Sequence, residues 1–564
     1  MQFLTASQSK LVLKRLWTIV KPYWVSPQGK KAWMLLVGVL ALLIGVSLVN
    51  VFINSVAGRF TTALQARDAS AFWTLLWMYA GALVFATPII VFYQFLRSKL
   101  ALMWRKWLTQ HLVSKYFYRR SYFNMSTDPH IDNPDERMSQ DVETFCNMTV
   151  GLSITILDAL VTIVTFIAVL WSISGALTIA VVAYSLFGSV LTVVFGKRLV
   201  QYNFDHLKLE ADLRYNLVDV RRDVESIAFY GGEKRAKLQV FRAIGNAIKN
   251  QELVMILNRN LGFFTHSYNA LVVLIPPAII APLYFSGQME FGEMTRAGMA
   301  FAQIFGAMTL FVVQFNAISA YIANINRVGS FMEALEVHTA PATIDGMVID
   351  SAVGGQLSLE HLSVLTPGGE RTLLKDCTLT VAPGQSLLIM GPSGAGKSSI
   401  LRAIAGLWVT GHGRVVRPAF SDMMFLPQRP YVPASTLRDA LCYPRTRSCA
   451  TDSELIAHLK LVNLADLPAR VGGLDVERNW RELLSVGEQQ RLSFARLLMA
   501  RPRYAIVDEA TSALDVDNEK LLYTILAASG STLISVGHRP SLLEHHTLVL
   551  ELMGDGSWRL THRN

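Results

Sequence analysis

From Ala159 to Gly196 the chain carries no charged side chain, and no other feature constrains its fold as strongly. A helix needs about 20 mostly apolar residues to cross the hydrocarbon of a bilayer, so this stretch is long enough for two crossings. The turn between them falls near Ser174-Gly175 and must be tight. Four further runs lack Asp, Glu, Lys and Arg: Ala32 to Gly58, Phe72 to Leu96, Leu261 to Met289 and Ala297 to Asn326. Six crossings are therefore expected, and an even number returns the chain to the side on which it began. Composition agrees, with 52% hydrophobic residues, 17% charged residues and a mean hydropathy of +0.34, too apolar for an ordinary soluble protein.

A formal net charge of +10 raises the question of nucleic acid. The cations, however, flank the apolar runs: residues 1 to 31 hold six Lys or Arg and no acid, and residues 96 to 120 hold seven and no acid. Such clusters mark the cytoplasmic flanks of membrane helices, which places both termini in the cytoplasm and leaves no nucleic-acid partner. Roughly thirty polar and basic residues precede the first apolar run, unlike a secretory signal. Cys146, Cys377, Cys442 and Cys449 form no C-x-x-C pair and no metal-ligand spacing, so reduced thiols are expected.

Residues 11 to 24 mix apolar, basic and aromatic positions and read either as an elbow helix lying along the membrane interface or as a solvated lead-in. Two polar stretches, 97 to 150 and 197 to 260, extend the membrane helices into the cytoplasm. Pro88 and Pro276-Pro277 are expected to kink their helices. Asn50, Asn54, Asp158, His266, Asn269, Gln303, Gln314 and Asn316 place polar groups within or at the ends of the spans, compatible with a wet cavity for an amphipathic or hydrophilic solute.

After about residue 345 short apolar runs alternate with Gly, Pro and Asp and then with helical stretches, the pattern of an α/β domain. The strand-like Ser386 to Met390 leads into Gly391, Pro392, Ser393, Gly394, Ala395, Gly396, Lys397 and Ser398, and Ser399 opens a helical run. This is a P-loop in its strand-loop-helix context: small residues let backbone N–H groups wrap phosphates, and the helix N-terminus adds a favourable field. Lys397 is expected to pair the β- and γ-phosphates of ATP and Ser398 to hold Mg²⁺. Downstream, Tyr504 to Val507 is an apolar strand ending in Asp508 and Glu509. Asp508 is the second expected Mg²⁺ ligand, and Glu509 the base that polarises the attacking water.

Leu484, Ser485, Val486, Gly487, Glu488, Gln489, Gln490 and Arg491 resemble the signature motif of ATP-binding cassette proteins, whose usual form has two glycines where this chain has Val486-Gly487. Pro427-Gln428 resembles the Q-loop of that family, Ser512 to Asp515 the D-loop, and Gly537-His538 the switch histidine. The resemblance implies that Ser485, Gly487 and Glu488 close the ATP site of an opposite copy. It also implies that Gln428 and His538 act beside Glu509, Gln428 meeting Mg²⁺ as well, and that Asp515 belongs to the D-loop. An aromatic that usually stacks on adenine in this family is missing from Leu359 to Pro367.

Pro392-Ser393-Gly394, Leu407-Trp408, Pro427 to Tyr431, Thr436 to Asp439 and Tyr443-Pro444 together resemble the cassette of D-subfamily half-transporters, of the peroxisomal acyl-CoA and lysosomal cobalamin type. Bacterial relatives include multi-solute transporters similar to the SbmA/BacA peptide-uptake proteins. Asn133, Pro134, Asp135, Glu136 and Arg137, and the run from Glu225 through Gly231, Gly232 and Glu233, resemble the two cytoplasmic coupling loops of that group.

The expected fold is a membrane α-helical bundle of six transmembrane helices, exporter-type, plus an α/β P-loop nucleotide-binding domain. Its parts are an elbow (1–31), a transmembrane domain (32–330), a linker (331–350) and a cassette (351–564). The expected function is ATP-driven transport of a peptide, cobalamin-like or acyl-CoA-like solute by a homodimer in a bacterial inner membrane. An ATP-gated channel or regulator is the alternative.

Overall fold

The computed structural model describes residues 6–126, 133–339, 348–367, 369–445 and 450–563. The chain forms two compact units, Met1–Thr339 and Ala340–Asn564.

The first unit is helical throughout. It runs through α1 (Ala6–Val25), α2 (Gly29–Gln65), α3 (Ala69–Phe117), α4 (Ser121–Met125), α5 (Pro134–Glu136), α6 (Val142–Ile173) and α7 (Gly175–Arg222). It continues through α8 (Val224–Tyr230), α9 (Glu233–Val272), α10 (Ile275–Phe285), α11 (Phe291–Val313) and α12 (Phe315–Thr339). Among the described residues four helical stretches are long and apolar enough to cross a membrane: Gly29–Gln65, Ala69–Met125, Pro134–Ile173 and Glu233–Phe285. Gly175–Leu191 is a shorter apolar helix. Ser174 is the turn between α6 and α7: its backbone is extended and its side chain accepts from Leu177 N, supplying the cap α7 needs. Pro276 and Pro277 fall in the first turn of α10, where a missing N–H costs nothing, so the pair restarts the helix after Leu274. Pro88 lies inside an α3 that runs on without a break. The apolar positions of α1, α2, α3, α6 and α12 meet in one core around Trp104, Phe145 and Phe331.

In the second unit a six-stranded sheet has the order β12-β11-β4-β10-β9-β6: β12 (Trp558–His562), β11 (Leu548–Leu552), β4 (Leu387–Met390), β10 (Thr532–Val536), β9 (Tyr504–Asp508) and β6 (Met423–Leu426). All neighbours are parallel except β12. Alternate residues explain the unbroken apolar runs: Leu387 and Ile389 enter one core while Leu388 enters the other. One core joins this sheet to α13 (Lys397–Ile404) and to a second sheet, β1 (Asp350–Val353), β5 (Gly411–Arg417), β2 (Leu357–Leu365) and β3 (Thr372–Val381). The other core is covered by α14 (Leu437–Cys442), α15 (Asp452–Leu461), α16 (Leu467–Val471), α17 (Trp480–Leu483), α18 (Val486–Ala500) and α19 (Val516–Ala528). A short ladder, β7 (Ser435–Thr436) with β8 (Glu477–Arg478), closes that side. Cys146 and Cys377 are free and buried, but Cys442 at the end of α14 is disulfide-bonded, correcting the expectation of thiols throughout. No C-x-x-C spacing announces that bond.

Candidate functional site

Parallel strands direct their C-terminal ends to one edge of a sheet, and that edge is where loops carry chemistry. Here β4 delivers the P-loop, β6 leads to Gln428, β9 to Asp508 and Glu509, and β10 to His538. Four segments scattered over the sequence are thus neighbours because of strand order.

Gly391, Gly394 and Gly396 all have left-handed φ, at 144°, 78° and 96°. Two of them also have no room for a side chain, since a Cβ on Gly391 would sit 2.6 Å from Leu552 O and one on Gly396 2.8 Å from Leu373 Cβ. The loop exposes Pro392, Ser393 and Gly394 while Ala395 is buried beneath it. Lys397 folds back over the loop, its Nζ donating to Gly391 O at 2.9 Å and Pro392 O at 3.0 Å. Burial pulls its ammonium below the usual lysine value, against the opposing carboxylates of Glu509 and Asp508. Ser398 Oγ donates to Asp508 Oδ1 at 3.2 Å. Burial raises the Asp508 carboxyl above its ordinary range, partly offset by that bond. A hydroxyl and a carboxylate side by side are hard oxygen donors that fit Mg²⁺.

Glu509 is held from both sides. Its Oε1 lies 2.7 Å from His538 Nε2, and its Oε2 accepts from Gln428 Nε2 at 3.0 Å. Its backbone is left-handed, φ 47°, fixed by its N–H donating to Val536 O at 3.1 Å. A non-glycine residue in this conformation carries local strain, which active sites store when neighbours over-determine it.

Ser485 caps α18, accepting from Glu488 N at 3.3 Å, while Glu488 Oε2 accepts from Ser485 N at 2.8 Å. Arg470 fixes the second Glu488 oxygen at 2.7 Å. Val486 is 55% exposed, so replacing the first glycine of the motif costs nothing sterically. Gly487 differs: a Cβ there would be 3.1 Å from Ala513 O. Asp515 caps α19 through Asn518 N, and the Asn518 hydrogen bonds hold its carboxyl below the usual range. Among the described residues no hydrogen bond or ion pair joins Ser485, Gly487, Glu488 or Asp515 to Gly391–Ser399.

Sequence reasoning did not single out Gln490. It is fully buried and donates to Gln428 O and Ser512 Oγ, both at 3.3 Å, while its Oε1 accepts from Ala513 N at 3.1 Å. One amide thereby joins the segments around Gln428, Ser512 and α18. Glu519, 2% exposed, accepts from Thr511, Ser541 and Arg539, tying the loop after β9 to the loop after β10. The signal was available in Arg539, which directly follows His538. Near Leu365, where the family's aromatic is missing, Trp408 Nε1 donates to Leu365 O at 2.8 Å.

In the helical unit Asn133 is left-handed and opens α5, and Asn133, Pro134, Asp135 and Glu136 lead into a wide turn, Arg137–Asp141. That turn is bound to α12: Arg137 donates to Arg327 O and Ser330 Oγ, Arg327 Nε to Asp141 Oδ2 at 2.7 Å, and Asn324 to Asp141 O. Glu225 lies in the first turn of α8, which ends with Gly231 in the left-handed region and Gly232 N donating to Ile227 O. Phe229 and Tyr230 on α8 are 82% and 89% exposed. Of the polar span positions, Asn54 is buried and donates to Arg296 O. The side chain of Asn316, like Cys449, lies outside the described residues.

Residues 19–285 match the family described as ABC transporter transmembrane region 2, and residues 374–512 the family described as ABC transporter. An uncharacterised ABC transporter ATP-binding protein of Synechocystis is 44% identical, covering 94% of this chain and 82% of the relative. ABC transporter D family member 2, chloroplastic, of Arabidopsis thaliana is 33% identical over 98% and 89%. The lysosomal cobalamin transporter of Homo sapiens is 31% identical over 97% and 96%. With a transmembrane region and an ATP-binding domain in one polypeptide, this chain belongs to the ABC transporter family and couples ATP hydrolysis to solute transport across a membrane.

Proposed function

We propose that the chain is a half-transporter working as a homodimer, with six membrane crossings in an exporter-type arrangement and both termini in the cytoplasm of a bacterial cell, at the inner membrane. The domain limits start from the sequence reading, 32–330 for the bundle, 331–350 for the linker and 351–564 for the cassette, but α12 carries the first unit on to Thr339, so the linker begins after that residue. The observation that carries the mechanism is Glu509 clasped between Gln428 and His538 at the mouth of the P-loop.

In this reading the backbone of Gly391 to Ser399 binds the ATP phosphates, and Lys397 leaves its two carbonyls to neutralise them. Ser398, Asp508 and Gln428 would hold Mg²⁺, which would supply charge neutralisation at the transferred phosphoryl group. Glu509 takes the proton of the attacking water, and His538 holds Glu509 in place and senses the γ-phosphate. Ser485, Gly487 and Glu488 act on the nucleotide of the other copy, and Asp515 lies along the shared interface. The loops at Asn133 to Asp135 and at Glu225, Gly231 and Gly232 couple that closure to the helices. The solute is amphipathic or hydrophilic, of the peptide, cobalamin-like or acyl-CoA-like kind; the cobalamin transporter among the relatives supports the second.

Complementation tests the composite site. Mixed dimers of Lys397→Ala and Ser485→Arg chains keep one site with both parts intact, whereas each homodimer has none. Recovery of about half of the two-site ATPase rate is expected in mixed dimers isolated by two different tags, and about a quarter in the unsorted co-expressed population; rates no higher than in either homodimer would refute the shared site.

A further inference from the structure

Helix α1 has three unlike faces. Val12, Ile19 and Tyr23 are buried in the core of the helical unit. Lys10, Lys14 and Lys21 are exposed and fall in one narrow stripe of a 3.6-residue repeat. Beside the stripe, Trp17 and Leu13 are 65% and 63% exposed, so large apolar surface adjoins the cations. No acid occurs among residues 1 to 31 to neutralise them. Exposed aromatic surface marks the depth of this helix: Trp24 at its C-terminal end packs on Trp33, which is 54% exposed, at 5.0 Å. Trp and Tyr concentrate at the headgroup level of a bilayer. Exposed lysines next to exposed Trp and Leu at that level are complementary to an anionic lipid surface.

The opposite edge of α1 grips another helix. Arg15 makes a two-pronged contact with Glu333 on α12, Nε to Oε1 at 3.0 Å and Nη2 to Oε2 at 2.8 Å, and its Nη1 donates to Asn326 Oδ1 at 2.9 Å. Gly329 makes room for it, since a Cβ there would lie 2.8 Å from the arginine stem. The pair is held by bidentate geometry, which fixes orientation as well as distance. Because α12 runs to Thr339, the last residue of its unit, the Arg15 contact ties α1 to the helix on which that unit ends.

We propose that α1 senses membrane charge: Lys10, Lys14 and Lys21 take the phosphate headgroups of anionic phospholipids, and Arg15 passes the seating of α1 to α12 through Glu333 and Asn326, raising turnover. The proposal rests on the transport reading, because ATP turnover is its output. Each lysine near an anionic surface contributes roughly fivefold to its attraction, so three make the response steep.

The test uses the full-length protein in vesicles of phosphatidylcholine alone and of phosphatidylcholine mixed with phosphatidylglycerol. ATPase severalfold higher in the anionic vesicles is expected, with the ratio collapsing to one in K10Q/K14Q/K21Q and on raising salt, where screening shortens to about 3 Å near 1 M. Arg15→Gln should also lose the ratio while Trp17 stays in the headgroup layer, read as the difference in quenching by brominated phosphatidylglycerol between Arg15→Gln and Arg15→Gln with Trp17→Phe. Equal wild-type rates in the two lipids, or an unchanged ratio in the triple variant, would overturn the proposal. ATPase in detergent micelles reports on the nucleotide site alone, so its loss strikes the transport reading and loss of the lipid response strikes only the sensor.

Discussion

Glu509→Gln separates binding from chemistry, and the geometry sets how far apart the two effects fall. The carboxylate takes one contact from His538 at 2.7 Å and one from Gln428 at 3.0 Å. Hydrogen bonds to a charged group contribute about 1.5–3 kcal/mol each and neutral ones about 0.5–1.5 kcal/mol, so an isosteric amide weakens the clasp by only about 1–3 kcal/mol in total. The hydrogen bonds of Lys397 to Gly391 O and Pro392 O do not involve Glu509, so what the loop loses is one of the two carboxylates that favour the Lys397 charge, with Asp508 remaining. General-base catalysis contributes about 10²–10⁴ in rate, which is about 2.7–5.4 kcal/mol of barrier. ATP affinity should therefore stay within a few fold of the wild type while phosphate release drops by at least about a hundredfold. Fluorescent nucleotide binding and phosphate release, measured on the same purified sample, check both halves. Turnover within twofold of the wild type would remove Glu509 from the role of base, and a parallel loss of ATP binding would mean that the clasp is structural.

Gln490→Leu leaves Gln428 O, Ser512 Oγ and Ala513 N without their shared partner; these lie on exposed residues that can turn to water, so each lost bond costs about 0.5–1.5 kcal/mol. Phosphate release should fall more than ATP affinity, and an unaltered rate would show that the amide only fills space. Asp141→Asn weakens the 2.7 Å contact with Arg327 Nε, so the midpoint of thermal unfolding should drop by a few degrees, with a smaller drop for the exposed Asp135→Asn. His546 is buried, its Nδ1 facing Leu542 O and its Nε2 facing Ser535 Oγ, and burial pushes its value down to about 4. The folded value lies below the unfolded one near 6.5, so its contribution is complete above about pH 6.5 and lost as pH falls toward 4, up to about 3 kcal/mol. His546→Gln should flatten that part of the stability profile measured by thermal melts; an unchanged slope would assign the acid sensitivity elsewhere.

The candidate site at the strand ends was legible in the sequence because its segments are short, contiguous and compositionally unusual. Gly391 to Ser398 needs three left-handed glycines and a lysine, and Asp508-Glu509 interrupts an apolar run. What joins those parts was not legible, because it depends on pairs far apart in the chain. Gln490 meets Gln428 and Ser512 across 62 and 22 residues, and Arg137 meets Ser330 across 193. No local pattern encodes such a distance. The membrane half shows the same division, since the uncharged runs announced the helices and Ser174 announced a turn, while Arg15 with Glu333 lies 318 residues apart and is invisible to periodicity.

The signature segment ties these levels together. Ser485 spends its hydroxyl on the N-terminus of α18, in a reciprocal cap with Glu488, and Arg470 locks the acid from behind. A capped fifteen-residue helix presents a fixed positive end, and such an end suits phosphate. Gly487 rests on Ala513, so the orientation of that end follows the loop after Glu509, where Ser512 is held by Gln490. A change at the carboxylate therefore reaches the signature end through two packed residues and one amide. If the second copy's nucleotide sits against this end, the same chain of contacts lets hydrolysis in one pocket be felt in the other. Gly487→Ala, which brings a Cβ to 3.1 Å from Ala513 O, should then slow both pockets of a homodimer, and in a mixed dimer it should slow the pocket served by the altered signature first. Equal slowing of both pockets in the mixed dimer would mean that the loop, and not the signature end, carries the effect.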